Sequence, residues 1–118
     1  MKYYLLEPFA KDLSVEKNPP LSEKGIRMAR VFALTMRGIS IDYCYTDTSI
    51  ASFGTALLLV GDKLIVNKVA DLDKELEEKI ISFIESLNNK YREGKVLIVA
   101  EKSVLSIIDK YTDAIFIS

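Results

Sequence analysis

Five consecutive apolar residues, Val96-Leu97-Ile98-Val99-Ala100, stand between Gly94-Lys95 and Glu101-Lys102. The run is short, rich in β-branched residues and without a polar position on either face, so it predicts a strand covered on both sides. Such a strand needs neighbours in a sheet and a layer of helices above and below it, which places the chain among α/β folds. The remaining sequence supplies those parts in alternation. Lys2 to Leu6 reads as a strand ended by Pro8, and a polar stretch then leads to Pro19-Pro20. Ser22 is placed to cap a helix in which Ile26, Ala29, Ala33 and Met36 recur at helical spacing, with Gly38 ending it. Asp42 to Thr46 reads as the next strand. Thr48 or Ser49 is set to cap a helix over Ala51 to Val60, stopped by Gly61-Asp62, and Lys63 to Val66 reads as a third strand. Asp71 or Asp73 is expected to cap a longer helix whose apolar stripe is Leu76, Ile80, Phe83, Ile84, Leu87 and Tyr91, closed by Gly94. After the buried strand, Ser103 to Tyr111 predicts a short helix and Ala114 to Ile117 a last strand. The order β-α-β-α-β-α-β-α-β predicts one domain over residues 1–118, a three-layer α/β/α sandwich around a mostly parallel five-stranded sheet.

In sheets of this kind ligands sit at the carboxyl ends of the strands. Here those ends are Glu7-Pro8-Phe9, Thr46-Asp47-Thr48, Asn67 and Glu101-Lys102-Ser103. The chemistry available there is narrow, because the chain contains no His at all, which removes His nucleophiles, His acid–base pairs and His metal ligands. Sixteen basic and seventeen acidic residues leave a formal charge of −1, and the basic residues are spread along the sequence, so nucleic-acid binding is not expected. The apolar runs are far shorter than the roughly 20 residues that cross a bilayer. Met1 to Leu6 lacks the pattern of a secretory leader, and a single Cys forms no internal disulfide; the expectation is a cytoplasmic protein without cofactor or metal and without membrane contact.

Common phosphate chemistries fail on specific residues. A dinucleotide or P-loop site needs glycines after a strand, where the first turn has Pro8 and Phe9. A thiol phosphatase needs an Arg six positions after its Cys, and six after Cys44 stands Ile50; Cys44 reads as a small core residue within a strand. Asp71-Leu72-Asp73 superficially offers an aspartyl-phosphate pair, but it precedes an acid-rich helix and reads as a cap. A receiver domain has the right length and class, but its acid pair after the first strand is missing.

Three segments, in order, resemble the histidine phosphatase or phosphoglycerate mutase superfamily, and most closely its short phosphohistidine phosphatases. Tyr4-Leu5-Leu6-Glu7-Pro8-Phe9 stands where the family has an apolar strand and then Arg-His-Gly, and Pro20-Leu21-Ser22-Glu23-Lys24-Gly25 is similar to its Pro-Leu-Thr-Glu-x-Gly. Tyr45 to Ala56 follows the family's Tyr-Ser-Ser-x-x-x-Arg-Ala-x-Gln-Thr-Ala, keeping Thr55-Ala56 but with Ala51 in place of Arg. Val96 to Lys102 resembles the strand that delivers a second His and Gly, with Glu101 and Lys102 at those positions. In the family the first His accepts the phosphoryl group, while two Arg and the second His bind its oxygens. The resemblance therefore implies a phosphoglycerate mutase-like fold whose former active-site positions are Glu7, Pro8, Ala51 and Glu101, with Phe9, Asp47 and Lys102 at the pocket rim. A Pro cannot carry a phosphoryl group. Each carboxylate would repel phosphate by about 3 kcal/mol per unit charge at roughly 5 Å and an effective dielectric of 20.

The implied function is that of a catalytically inactive domain, a protein-interaction or scaffold module with a protein partner or a second copy of itself. Two alternatives follow from the same residues. Glu7 and Glu101, with Asp47 near the rim, are candidates to hold a cation or amine, against the plainer reading that Glu7 pairs with Lys102 while Glu101 faces water. Residual phosphatase chemistry would have to use Tyr45, Thr46, Asp47 and Lys102. Only Gly61 to Asp73 separates the second and third helices, so no long insertion covers the strand ends, and Phe9 and Phe53 are expected to form an open apolar rim.

Overall fold

A computed structural model describes residues 1–117; Ser118, included in the expected domain, lies outside the described residues. Five strands, β1 (Lys2–Leu6), β2 (Tyr43–Thr46), β3 (Val66–Lys68), β4 (Lys95–Val99) and β5 (Ile115–Phe116), alternate with four helices, α1 (Glu23–Met36), α2 (Ile50–Val60), α3 (Glu77–Lys90) and α4 (Lys102–Tyr111). The strands form one sheet in the order β3-β2-β4-β1-β5 with every pairing parallel. This is the expected three-layer α/β sandwich. The apolar run lies at its centre: β4 pairs with β1 through Leu97 opposite Tyr4 and with β2 through Leu97 opposite Cys44, and Val96 to Ala100 are all fully buried.

Successive side chains of a strand point to opposite faces, and the two cores divide accordingly. Tyr3, Leu5, Tyr45, Val96 and Ile98 pack with Ile80, Ile84 and Leu87 of α3 and Val104, Leu105 and Ile108 of α4. Tyr4, Leu6, Cys44, Leu97 and Val99 pack with Met36 of α1 and Ala56, Leu59 and Val60 of α2. Parallel strands joined by helices put all their carboxyl ends on one edge of the sheet. Among the described residues, no helix is long and apolar enough to cross a membrane.

Local signals account for the first two helix starts. Ser22 accepts a hydrogen bond from the Gly25 amide at 3.0 Å, and Ser49 accepts one from the Ser52 amide at 3.1 Å. Three expectations are corrected. The helix α3 ends at Lys90 with Tyr91 already extended, so Gly94 does not close it. The third strand begins at Val66 rather than Lys63, because the Lys63 and Leu64 amides donate to the Val60 carbonyl and prolong the end of α2. Neither Asp71 nor Asp73 caps α3. That helix starts at Glu77 with Leu76 at its N-cap and no side-chain cap, while Ala70–Leu72 forms a separate 3-10 turn that drives Leu72 into the core.

The loop between β1 and α1 folds back on itself through an isolated antiparallel bridge from Lys11 to Leu21, and the Ser22 amide donates to the Ala10 carbonyl. Gly25 makes this approach possible, since a Cβ there would lie 2.2 Å from the Ala10 carbonyl oxygen. Gly25→Ala is expected to lower stability by about 2 kcal/mol or more in urea unfolding. Gly38→Ala, whose Cβ meets nothing closer than 3.8 Å, should stay within about 0.5 kcal/mol of the parent.

Candidate functional site

The carboxyl edge is built by the residues that leave β1, β2 and β4. Glu7-Pro8-Phe9 follows β1, Asp47-Thr48-Ser49 follows β2, and Ala100-Glu101 follows β4. The Asp47 amide donates to the Val99 carbonyl and the Ala100 amide to the Leu6 carbonyl, so the three chain exits stay in register just beyond the sheet. The Phe9 amide donates to the Thr55 hydroxyl at 3.3 Å, tying the first exit to α2.

Carboxylates of the chain itself hold the polar donors along this edge. Glu101 accepts from the Lys11 ammonium at 2.5 Å, the only ion pair among the described residues. Asp47 is 3% exposed and turns back on its own loop, accepting from the Ser49 amide at 3.0 Å and the Ser49 hydroxyl at 2.6 Å. Asp73 reaches across from the 3-10 turn and accepts from both the amide and the hydroxyl of Thr48, at 2.7 and 2.6 Å. Asn18, with φ of 47°, accepts from the Ile50 amide at 2.9 Å. The free amides before and within the first turn of α2 form a ready anion-binding surface in principle, and here three neighbouring side chains occupy it.

These contacts regroup the expected site residues. Glu101 does not simply face water, and Glu7 is not ion-paired with Lys102; Lys11, in the irregular loop, takes Glu101 instead. Glu7, Pro8, Phe9 and Lys102 line a cleft of about 500 Å3 together with Phe116 and Ile117 of the β5 edge. Ala51 lies fully buried at the start of α2. Glu7, Asp47 and Glu101 therefore do not converge, and among the described residues no three His, Cys, Asp or Glu side chains are placed to hold a metal ion. The four residues proposed for an alternative chemistry do not converge either. Thr46 is buried and donates to the Asp47 carbonyl, and the Tyr45 hydroxyl bonds Tyr91 at 2.9 Å on the α3 side of the sheet. Burial and the Tyr91 hydrogen bond raise the Tyr45 pKa, which disfavours a tyrosinate there. Phe53 does not join Phe9 in a rim: the Lys68 ammonium lies 4.4 Å over its ring, while Phe9 packs edge-on against Phe32 at 5.6 Å.

Sequence reading missed Lys11, Asn18 and Asp73 as members of this edge. Lys11 carried no signal beyond its presence in a long polar loop. Asn18 stands before Pro19-Pro20 in a left-handed conformation that Asn tolerates, which was a readable sign of a tight turn.

Asp73→Ala is expected to cost about 1–2 kcal/mol in urea unfolding, from the loss of two hydrogen bonds. Burial raises the Cys44 pKa from 9.0 to about 12. The neutral thiol therefore adds stability in full below pH 9, and that contribution is lost as pH rises toward 12. Cys44 in the folded protein should resist alkylation at pH 8 and react once urea exposes it.

No protein-family model matches the sequence, and no curated protein sequence does. Solved structures do match its backbone. The alpha-ribazole phosphatase from Shigella flexneri is similar with a TM-score of 0.81 at 16% identity, covering 94% of this chain and 79% of that one. The phosphoglycerate mutase from Bacillus anthracis str. Sterne gives 0.80 at 14% identity, covering 94% and 79%. The protein histidine phosphatase SixA, complexed with tungstate, gives 0.77 at 18% identity, covering 92% and 74%.

Proposed function

We propose, on the premise that this chain has the histidine phosphatase or phosphoglycerate mutase-like fold, that it is a non-catalytic domain of that fold acting as a protein-interaction or scaffold module. The observation that carries this reading is the composition of the carboxyl edge. The resemblance puts the phosphoryl-accepting His at Pro8, which has no nucleophilic atom, and puts the phosphate-binding cations at Glu7, Ala51 and Glu101. Several donors at that edge are already bonded: the Lys11 ammonium, and the Thr48, Ser49 and Ile50 amides. A phosphate seeking Lys11 or the Thr48 donors would have to take them from Glu101 and Asp73, against the repulsion of those same carboxylates. Fold alone does not specify activity, and a scaffold can persist after its site has changed.

No contact favours the cation or amine reading over this one, since Glu101 and Asp47 already have partners and Glu7 stands in a cleft with Lys102.

Tungstate, which SixA binds, is a direct probe. It should give no thermal stabilisation of this protein, and p-nitrophenyl phosphate and phosphohistidine should not be hydrolysed above buffer. Saturable stabilisation by tungstate, or turnover abolished by Lys11→Ala, would overturn the proposal.

A further inference from the structure

Charge is distributed unevenly over the surface, and α1 carries most of the imbalance. Lys24, Arg27, Arg30 and Arg37 lie exposed on or at the end of this helix against one acid, Glu23, in a chain whose formal charge is −1. Three of the chain's four arginines are in that set. Beside them the same face exposes large apolar side chains: Val31 is 68% exposed, Leu34 59% and Met28 43%. The opposite face, through Gly25, Ala29 and Met36, is anchored in the fold, so this one is free.

The apolar residues do not form a convex ridge. Met28, Val31, Phe32 and Thr35 join Phe9 around a shallow, open groove of about 390 Å3 with Arg27 at its rim. Phe9 is fixed there by its edge-on contact with Phe32 and by the Thr55 hydrogen bond to its backbone. A basic margin beside an apolar groove on a rigid helix suits an acidic amphipathic segment, whose apolar side chains fill the groove while its carboxylates meet the arginines.

Resting on the reading of this domain as an interaction module, we infer that the exposed face of α1 with Phe9 is the docking surface for an acidic, amphipathic helical segment of another protein. A symmetric pair of this chain through α1 would bring two basic faces together, which charge repulsion opposes. An anionic bilayer would meet the net negative remainder of the molecule, whereas a single segment meets α1 alone, within the roughly 8 Å reach of surface charge at physiological salt.

The probe is a fluorescein-labelled helical peptide of about 16 residues carrying Leu at helical spacing and Glu on its flanks, with a partner peptide in which every Glu is Lys. Anisotropy titration should show saturable binding of the Glu peptide in the micromolar range, at least about tenfold tighter than the Lys peptide and weakened by salt. In the double variant Arg27→Glu, Arg30→Glu the preference should invert, and Val31→Glu should weaken both peptides. All three positions are exposed, and unchanged circular dichroism checks the fold. No saturable binding up to about 1 mM, equal affinity for both peptides, or a preference that survives the charge reversal overturns the inference. Sedimentation with phosphatidylserine vesicles, or self-association, lost in the same double variant would overturn it in favour of a membrane or a second copy. Failure of the peptide to bind, without phosphatase turnover, sinks only this docking surface, whereas turnover sinks the non-catalytic reading.

Discussion

The burial of β4 on both faces is the constraint from which the rest of the molecule follows. Val96 to Ala100 expose nothing to solvent, and burying five apolar residues in this way requires a paired strand on each side and a helical layer on each face. β1 and β2 supply the first requirement; α3 with α4, and α1 with α2, supply the second. Parallel crossovers then bring three chain exits to one edge, beside one another. The position of the candidate site is thus a consequence of packing, whatever residues happen to occupy it.

What occupies it is a set of side chains that satisfy each other. Lys11 and Glu101, Thr48 and Asp73, Ser49 and Asp47 all pair a donor with a carboxylate. In a site built for an anion, backbone amides and cations would be left for the ligand. Here the anions are built in, on short tethers, and their local concentration far exceeds that of any free phosphate. This pairing suits the proposed non-catalytic reading of the domain.

α1 shows how one element serves two ends. Its small residues face inward: Gly25 allows the close approach to the Ala10 backbone and Ala29 packs without exposure. That tight inner contact frees the long side chains, Arg27, Met28, Arg30 and Val31, to face outward without any role in the core. The basic residues look scattered along the whole sequence because twelve lysines are spread through it; only the helix gathers Arg27, Arg30 and Arg37 on one exposed surface.

The sequence by itself determined the features whose causes are local. Apolar runs and period-3.6 patterns gave the order of strands and α-helices, with the third strand set too early, and Ser22 and Ser49 announced their caps because the bonds they accept come from three residues away. The resemblance to the family implies Glu7, Pro8, Ala51 and Glu101 as former site positions. The partners of those positions belong to the tertiary structure alone. Lys11 and Glu101 are separated by 90 residues, Asn18 and Ile50 by 32, and Thr48 and Asp73 by 25. Asp73 sits before a helix and resembles a cap, but once Leu72 is buried the chain turns and its carboxylate meets the Thr48 donors instead. Which polar groups pair across such distances depends on how the layers close, since the backbone positions that bring them within about 3 Å exist only after the core has packed.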